Sequence, residues 1–139
     1  MSAATFASDY AFGTSSELTQ QQKLEGYFNT KLERRGGFSC FDYDNGTTLF
    51  VELKTRRIKH DQYPTAIIGA NKVQTAQNNP DKAYWFCYSY LDGIYGLQYS
   101  KELFETFTQE NYQRGNRSDY NDKPQLCYFI PNNLLERLA

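Results

Sequence analysis

Histidine is nearly missing from this chain: His60 is the only one. The three cysteines, Cys40, Cys87 and Cys127, are far apart, odd in number and set in apolar strand-like runs. No CxxC or HxxxH spacing exists, which argues against a zinc centre built from nitrogen and sulfur. The thiols read as small buried apolar side chains in a reducing compartment. No apolar run approaches the ~20 residues of a membrane span, and the start MSAATFASDY lacks the basic and apolar regions of a secretory leader. The expectation is an intracellular protein of cytoplasm or nucleus, not secreted and without a membrane partner. A formal net charge of -1 does not mark the whole chain as a nucleic-acid binder, so charge is read segment by segment. No internal repeat is found.

Aromatic residues are abundant at 17% of 139 residues, and they suit the half-buried surface of a sheet. The length suits one domain with a substantial core. Residues 1–14 read as an N-terminal tail and 15–139 as a single domain. The segment SSELTQQQKLEGYFNTKLERRGG predicts a helix. Ser15 or Ser16 would cap it, with Glu17 in its first turn. Leu18, Leu24, Tyr27, Phe28 and Leu32 would form its core face, Lys31, Arg34 and Arg35 would lie in its last turns, and Gly36-Gly37 would end it.

Two antiparallel strands are expected next, about 38–44 and 47–56, joined at DNGT, because Asn-Gly accepts the positive φ angles of a turn. Ile67-Ile68-Gly69 predicts a turn into a helix at about 70–78. KAYWFCYSYLDGIYGLQYS predicts a hairpin of two strands across Asp-Gly, and KELFETF a short helix. Residues 108–125 read as a polar loop. LCYFIP is a last strand and NNLLERL, capped by Asn132 or Asn133, a terminal helix. The fold class is α/β, with a mixed sheet of about five strands flanked by helices.

The chemistry concentrates in LFVELKTRR, Leu49–Arg57. Residues two apart share a face of a strand, so Glu52 and Lys54 point together, away from Val51 and Leu53. Asp42 and Asp44 share a face of the preceding strand. A loop of about four residues, or a bulge, sets Asp42 near Glu52, whereas the tightest Asn45-Gly46 turn sets it opposite Leu49. Two carboxylates in one small space repel unless a cation lies between them. Mg²⁺ accepts such a site, with one or two carboxylates, waters and substrate phosphate. Lys54 beside it can hold a water, lower its pKa, or neutralise charge on phosphorus. Glu25 on the first helix could add a third carboxylate. Eight of the fifteen basic residues fall between positions 31 and 72, a density that fits contact with a phosphate backbone.

These residues resemble the PD-(D/E)XK nuclease superfamily: Glu25 on the helix, Asp42 on the second run, and Glu52-Leu53-Lys54 on the third, with nine residues between Asp42 and Glu52. The resemblance spans about residues 16–139 and is similar to small members from viruses and phages. It implies a restriction endonuclease-like core and a Mg²⁺- or Mn²⁺-dependent hydrolase of phosphodiester bonds in nucleic acid, DNA by the habit of the group. Asp42, Glu52 and the Leu53 carbonyl would hold metal, Lys54 would position the attacking water, and Glu25 would set the metal or its waters. Arg56, Arg57, Lys72 and Gln74 would contact nucleic acid. Relatives that cut both strands often act as dimers, so the resemblance allows a homodimer. Phe41 replaces the proline that precedes the first acid in the pattern, which leaves Asp44 as a rival ligand. His60 reads as a surface residue rather than a catalytic base, and the Tyr-rich run 84–99 as sheet and core rather than a base-stacking platform. The loop arginines Arg114 and Arg117 read as solvated. Two other function classes compete: a catalytically silent nucleic-acid-binding or regulatory module, and a structural or inhibitor protein of a virus.

Overall fold

The computed structural model describes residues 18–36, 41–112 and 125–139. The assigned tail, the helix cap at Ser15 or Ser16, and Cys40, Arg114 and Arg117 lie outside them. Helix α1 covers 18–28. It stops well before the glycines at 36 and 37, because Asn29 turns left-handed at φ 54°. Asn tolerates that conformation better than other non-glycine residues and ends helices for this reason. Thr30 then donates its N–H back to the Glu25 carbonyl. The expected helix over Lys31–Arg35 is therefore replaced by extended chain and a short edge strand, β1 (Glu33–Arg34). The core face of α1 is also narrower than expected. Leu24 is fully buried, but Leu18 is 59% exposed and Tyr27 is exposed as well.

β2 (Tyr43–Asp44) and β3 (Leu49–Thr55) form the expected hairpin. β4 (Thr65–Gly69) occupies the segment read as a turn at Ile67-Gly69; its β-branched residues favour extended chain, and Ile68 is fully buried. α2 (Ala70–Asn78) follows where expected, then β5 (Ala83–Tyr90) and β6 (Gly93–Gln98) around the Asp-Gly turn. Gly93 sits at φ 141°, and a Cβ there would meet the Ala139 carbonyl at 2.7 Å, so glycine is required. α3 (Lys101–Phe104) is a single turn capped by Ser100.

Two expectations fail near the C-terminal end. Thr108–Tyr112, read as loop, is strand β7, and its wholly exposed polar side chains explain why. It pairs with β8 (Gln125–Pro131). NNLLERL is not a helix: a 3₁₀ turn, Asn132–Leu134, leads into strand β9 (Glu136–Arg137) beside β6. Leu135 and Leu138 carry the reason. Three residues apart on extended chain, they point to opposite faces and enter different clusters.

The result is an α/β fold with two sheets rather than one of about five strands. A six-stranded mixed sheet runs β1-β2-β3-β5-β6-β9, with β3 and β5 parallel. An antiparallel sheet runs β4-β8-β7. The central strands are buried on both faces. One face carries Leu49, Val51 and Cys87 against Leu24 of α1. The other carries Tyr84, Phe86 and Tyr88 against Ile68, Val73 and Ile130 of the second sheet and α2. Glu52 and Lys54 belong to this second face, because they pair with Phe86 and Tyr88 across the parallel register. Cys87 and Cys127 are buried thiols, as expected.

Candidate active site

The hairpin loop sets the register. Asn45 does not adopt the positive φ of the tightest Asn-Gly turn; Gly46 alone does within this loop, at 85°. The Asn45 side-chain oxygen instead accepts the N–H groups of Thr47, Thr48 and Leu49 at 3.0, 2.9 and 3.0 Å. That one amide satisfies most of the loop's donors, the Asx chemistry that favours Asn in turns. The loop is thereby widened to four residues, 45–48, and Tyr43 faces Val51 while Asp44 faces Phe50. Asp42 lies just before β2, beyond the paired residues, and is near enough for its charge to act on Glu52.

The two carboxylates then diverge in environment. Asp42 accepts the Leu53 N–H through Oδ2 at 2.9 Å. Glu52 is buried, and its Oε2 receives no well-directed hydrogen bond. Lys72 Nζ, on the first turn of α2, lies 3.2 Å from that oxygen as an ion pair. Burial, and then the Asp42 charge, push the Glu52 carboxyl up to about 7, against the opposing pull of Lys72 and Lys54. Lys72 also lies over the Phe41 ring, 5.7 Å from its centroid. Phe41 therefore fills the place of the pattern's proline with a wall that helps to hold the ammonium.

Asp44 is engaged elsewhere. Arg35 grips it through two hydrogen bonds of 2.9 Å, and Gly46 donates a third at 2.8 Å. The guanidinium holds the Asp44 carboxyl below its ordinary range. As a ligand it would have to give up this clamp, so Asp42 is the better placed of the two.

Glu25 does not join the group. Its Oε2 accepts the Leu32 N–H at 2.9 Å, pinning the chain where it leaves α1. α1 covers the opposite face of the sheet, and Glu25 is not among the charges that shift Glu52. The spacing in sequence could not show this, because the face that α1 covers depends on the path from Asn29 to β2.

Arg56 and Arg57 are exposed at the end of β3 and line a cavity of about 600 Å³. Gln74 is exposed on α2 and donates to Asn78 at 3.1 Å. Lys72, expected to contact nucleic acid, forms an ion pair with Glu52 at 3.2 Å, which the sequence did not indicate.

The donor set fits a divalent ion. Glu52 offers a buried carboxylate whose Oε2 already faces one cation, the Lys72 ammonium at 3.2 Å, and Asp42 lies near enough for its charge to act on it. Hard oxygen donors of this kind suit Mg²⁺ or Mn²⁺. Among the described residues, the one group of three His, Cys, Asp or Glu side chains whose ligand atoms come together is His60, Asp61 and Asp92, whereas Asp42 and Glu52 supply two carboxylates. Its geometry has a structural explanation. Asp92 receives the His60 backbone N–H at 3.0 Å and faces its Nδ1 at 2.5 Å, and the imidazole stacks on Tyr95 at 4.2 Å between centroids. This pins the 56–62 segment to the β5–β6 turn.

No helix among the described residues is long and apolar enough to cross a membrane. Comparison of the chain with protein-family models, curated proteins and solved structures gives no match.

Proposed function

We propose that this protein is a metal-dependent nuclease, of the PD-(D/E)XK kind, that hydrolyses phosphodiester bonds of DNA at Asp42, Glu52 and Lys54. The reading is supported by a buried Glu52 that feels the charges of Asp42, Lys72 and Lys54, with Asp42 held on the Leu53 N–H and Lys54 on the same face of β3 as Glu52. Asp42, Glu52 and the Leu53 carbonyl would hold Mg²⁺ or Mn²⁺. The ion, when bound, supplies charge neutralisation at the phosphate and acidifies a water. Lys54 orients the attacking water, whose oxygen bonds to phosphorus as the bond to the leaving sugar oxygen breaks. Lys72, which pairs with Glu52 at 3.2 Å, would be the ammonium nearest to a phosphate held at this site. Burial of Glu52 strengthens the charge contacts made at its carboxylate.

A second reading is favoured by one contact. The Lys72–Glu52 ion pair already neutralises the carboxylate without any metal, as a catalytically silent DNA-binding module would require. Plasmid and single-stranded DNA incubated with Mg²⁺ or Mn²⁺ separate the two. The nuclease reading expects cutting by the parent protein and none by Glu52→Ala or Lys54→Ala. Cutting that persists in both variants removes the site, and binding without any cutting leaves the module.

A further inference from the structure

The cavity at the end of β3 has a composition that the acidic site does not explain. Beneath it lies Tyr88, a fully buried core residue whose hydroxyl donates to the Ile67 carbonyl at 2.9 Å, so the rings open to a ligand are those of Tyr63, Tyr90 and Tyr112. Tyr90 lies nearly parallel to Tyr88, 5.9 Å away and 17° inclined. Tyr63, 57% exposed, and Tyr112, 41% exposed, stand at the rim. Arg56 and Arg57 complete the lining, and Arg56 is close enough to perturb both Tyr88 and Tyr90.

We propose that this cavity receives an unpaired nucleotide of the strand being cut, with its base against the tyrosines and its phosphate on Arg56 and Arg57. The proposal rests on the nuclease reading and adds a substrate class to it: DNA with a single-stranded segment. Three physical points carry it. The volume of about 600 Å³ lies within the range of small-ligand sites, which is about 300–1,000 Å³. Exposed aromatic rings beside guanidinium groups are the pattern of single-strand binding, because every base has a face to stack. A paired base is already stacked on both sides and could enter only by leaving the duplex.

The distance to the chemistry also fits. Glu52, Lys54 and Arg56 are successive same-side positions along β3 and its extension, and each step of two residues advances about 6.7 Å. Arg56 therefore lies about 13 Å from Glu52 along the strand. A backbone bound at Asp42 and Glu52 reaches the cavity within a few nucleotides. The net charge of -1 fits the same picture, since affinity carried by phosphate contacts alone would call for a more basic protein.

The test is fluorescence anisotropy of the full chain in EDTA, with a labelled oligothymidylate of about ten nucleotides, inside the 4–16 that single-strand sites occupy. The expected result is preference for the single strand over a duplex of equal length, and a roughly 5- to 150-fold loss of affinity in Tyr63→Ala. Arg56→Ala should weaken binding and flatten its salt dependence. Both side chains are exposed, so neither variant endangers the fold. Tyr27→Ala, an exposed tyrosine on α1, should leave binding unchanged. Equal binding by Tyr63→Ala and the parent, or equal affinity for duplex, overturns the proposal. Full competition by thymidine monophosphate at equimolar concentration also overturns it, by assigning the cavity to a free nucleotide. No cleavage is read here, so pocket-dependent binding in a protein that never cuts DNA would sink the nuclease reading and leave the pocket. Cutting that is indifferent to Tyr63 would do the reverse.

Discussion

Replacing Glu52 by Gln should stabilise the metal-free protein, although it removes a charged residue from an ion pair. Glu52 titrates at about 7 in the folded chain, against an ordinary value of 4.5, chiefly because it is buried. Between those two pH values the folded state holds more protons than the unfolded one, so stability falls as pH rises. The contribution of protonated Glu52 is fully present below about 4.5 and is lost as pH rises through about 7. A displacement of this size corresponds to about 3 kcal/mol, and solvent at the mouth of the site reduces it to about 2–3 kcal/mol. Gln keeps the shape and the neutrality of the protonated acid at every pH. Glu52→Gln should therefore exceed the parent by about 2–3 kcal/mol at pH 8, or about 7–10 °C in Tm for a chain of this length. At pH 4.5 the two should melt together. The assay is thermal melting in EDTA at a series of pH values. Saturating Mg²⁺ should raise the parent but not the variant, by about 2.7 kcal/mol at a hundredfold excess over Kd. A variant less stable than the parent at pH 8 without metal would refute the reasoning, because it would make the Lys72 contact worth more than the burial costs.

Two further outcomes follow from the hairpin. Asn45→Ala removes the amide that organises the loop, so about 1–2 kcal/mol of stability should be lost by denaturant titration. Calorimetry should show Mn²⁺ binding weakened at the same time, although Asn45 touches no proposed ligand. Arg35→Ala leaves the buried Asp44 carboxylate without its clamp. It should destabilise by about 1–3 kcal/mol at pH 7, and because the clamp holds the Asp44 carboxyl below its ordinary 3.8, the difference should narrow only as pH falls below that value.

The legible part of this fold was the part written in local chemistry. The β2–β3 hairpin, the Asp-Gly hairpin, α2 and the one-turn α3 each follow from a turn residue or a short periodic run. The pairing of Glu52 with Lys54 on one face needed only the two-residue period of a strand. What could not be read was decided at a distance or by a single backbone angle. Asn29 ended α1 early, and the path that follows took Glu25 to the other face of the sheet. Leu135 and Leu138 carry a spacing that a helix and a two-faced edge strand both satisfy, and pairing with β6 chose the strand. β7 hides in a polar segment because an exposed edge strand buries nothing. Spacing could not tell Asp42 from Asp44; their surroundings differ because Arg35 clamps Asp44 while Asp42 takes the Leu53 N–H. Tyr90 lay in a run read as core, and only the open end of the sheet turns it toward a cavity.

Diffraction from a crystal soaked in Mn²⁺, with anomalous data collected near the manganese edge, tests the central claim most directly. The account predicts a peak bounded by Asp42, Glu52 and the Leu53 carbonyl, with Lys72 drawn away from Glu52. A peak at His60, Asp61 and Asp92 with none between Asp42 and Glu52 would contradict it.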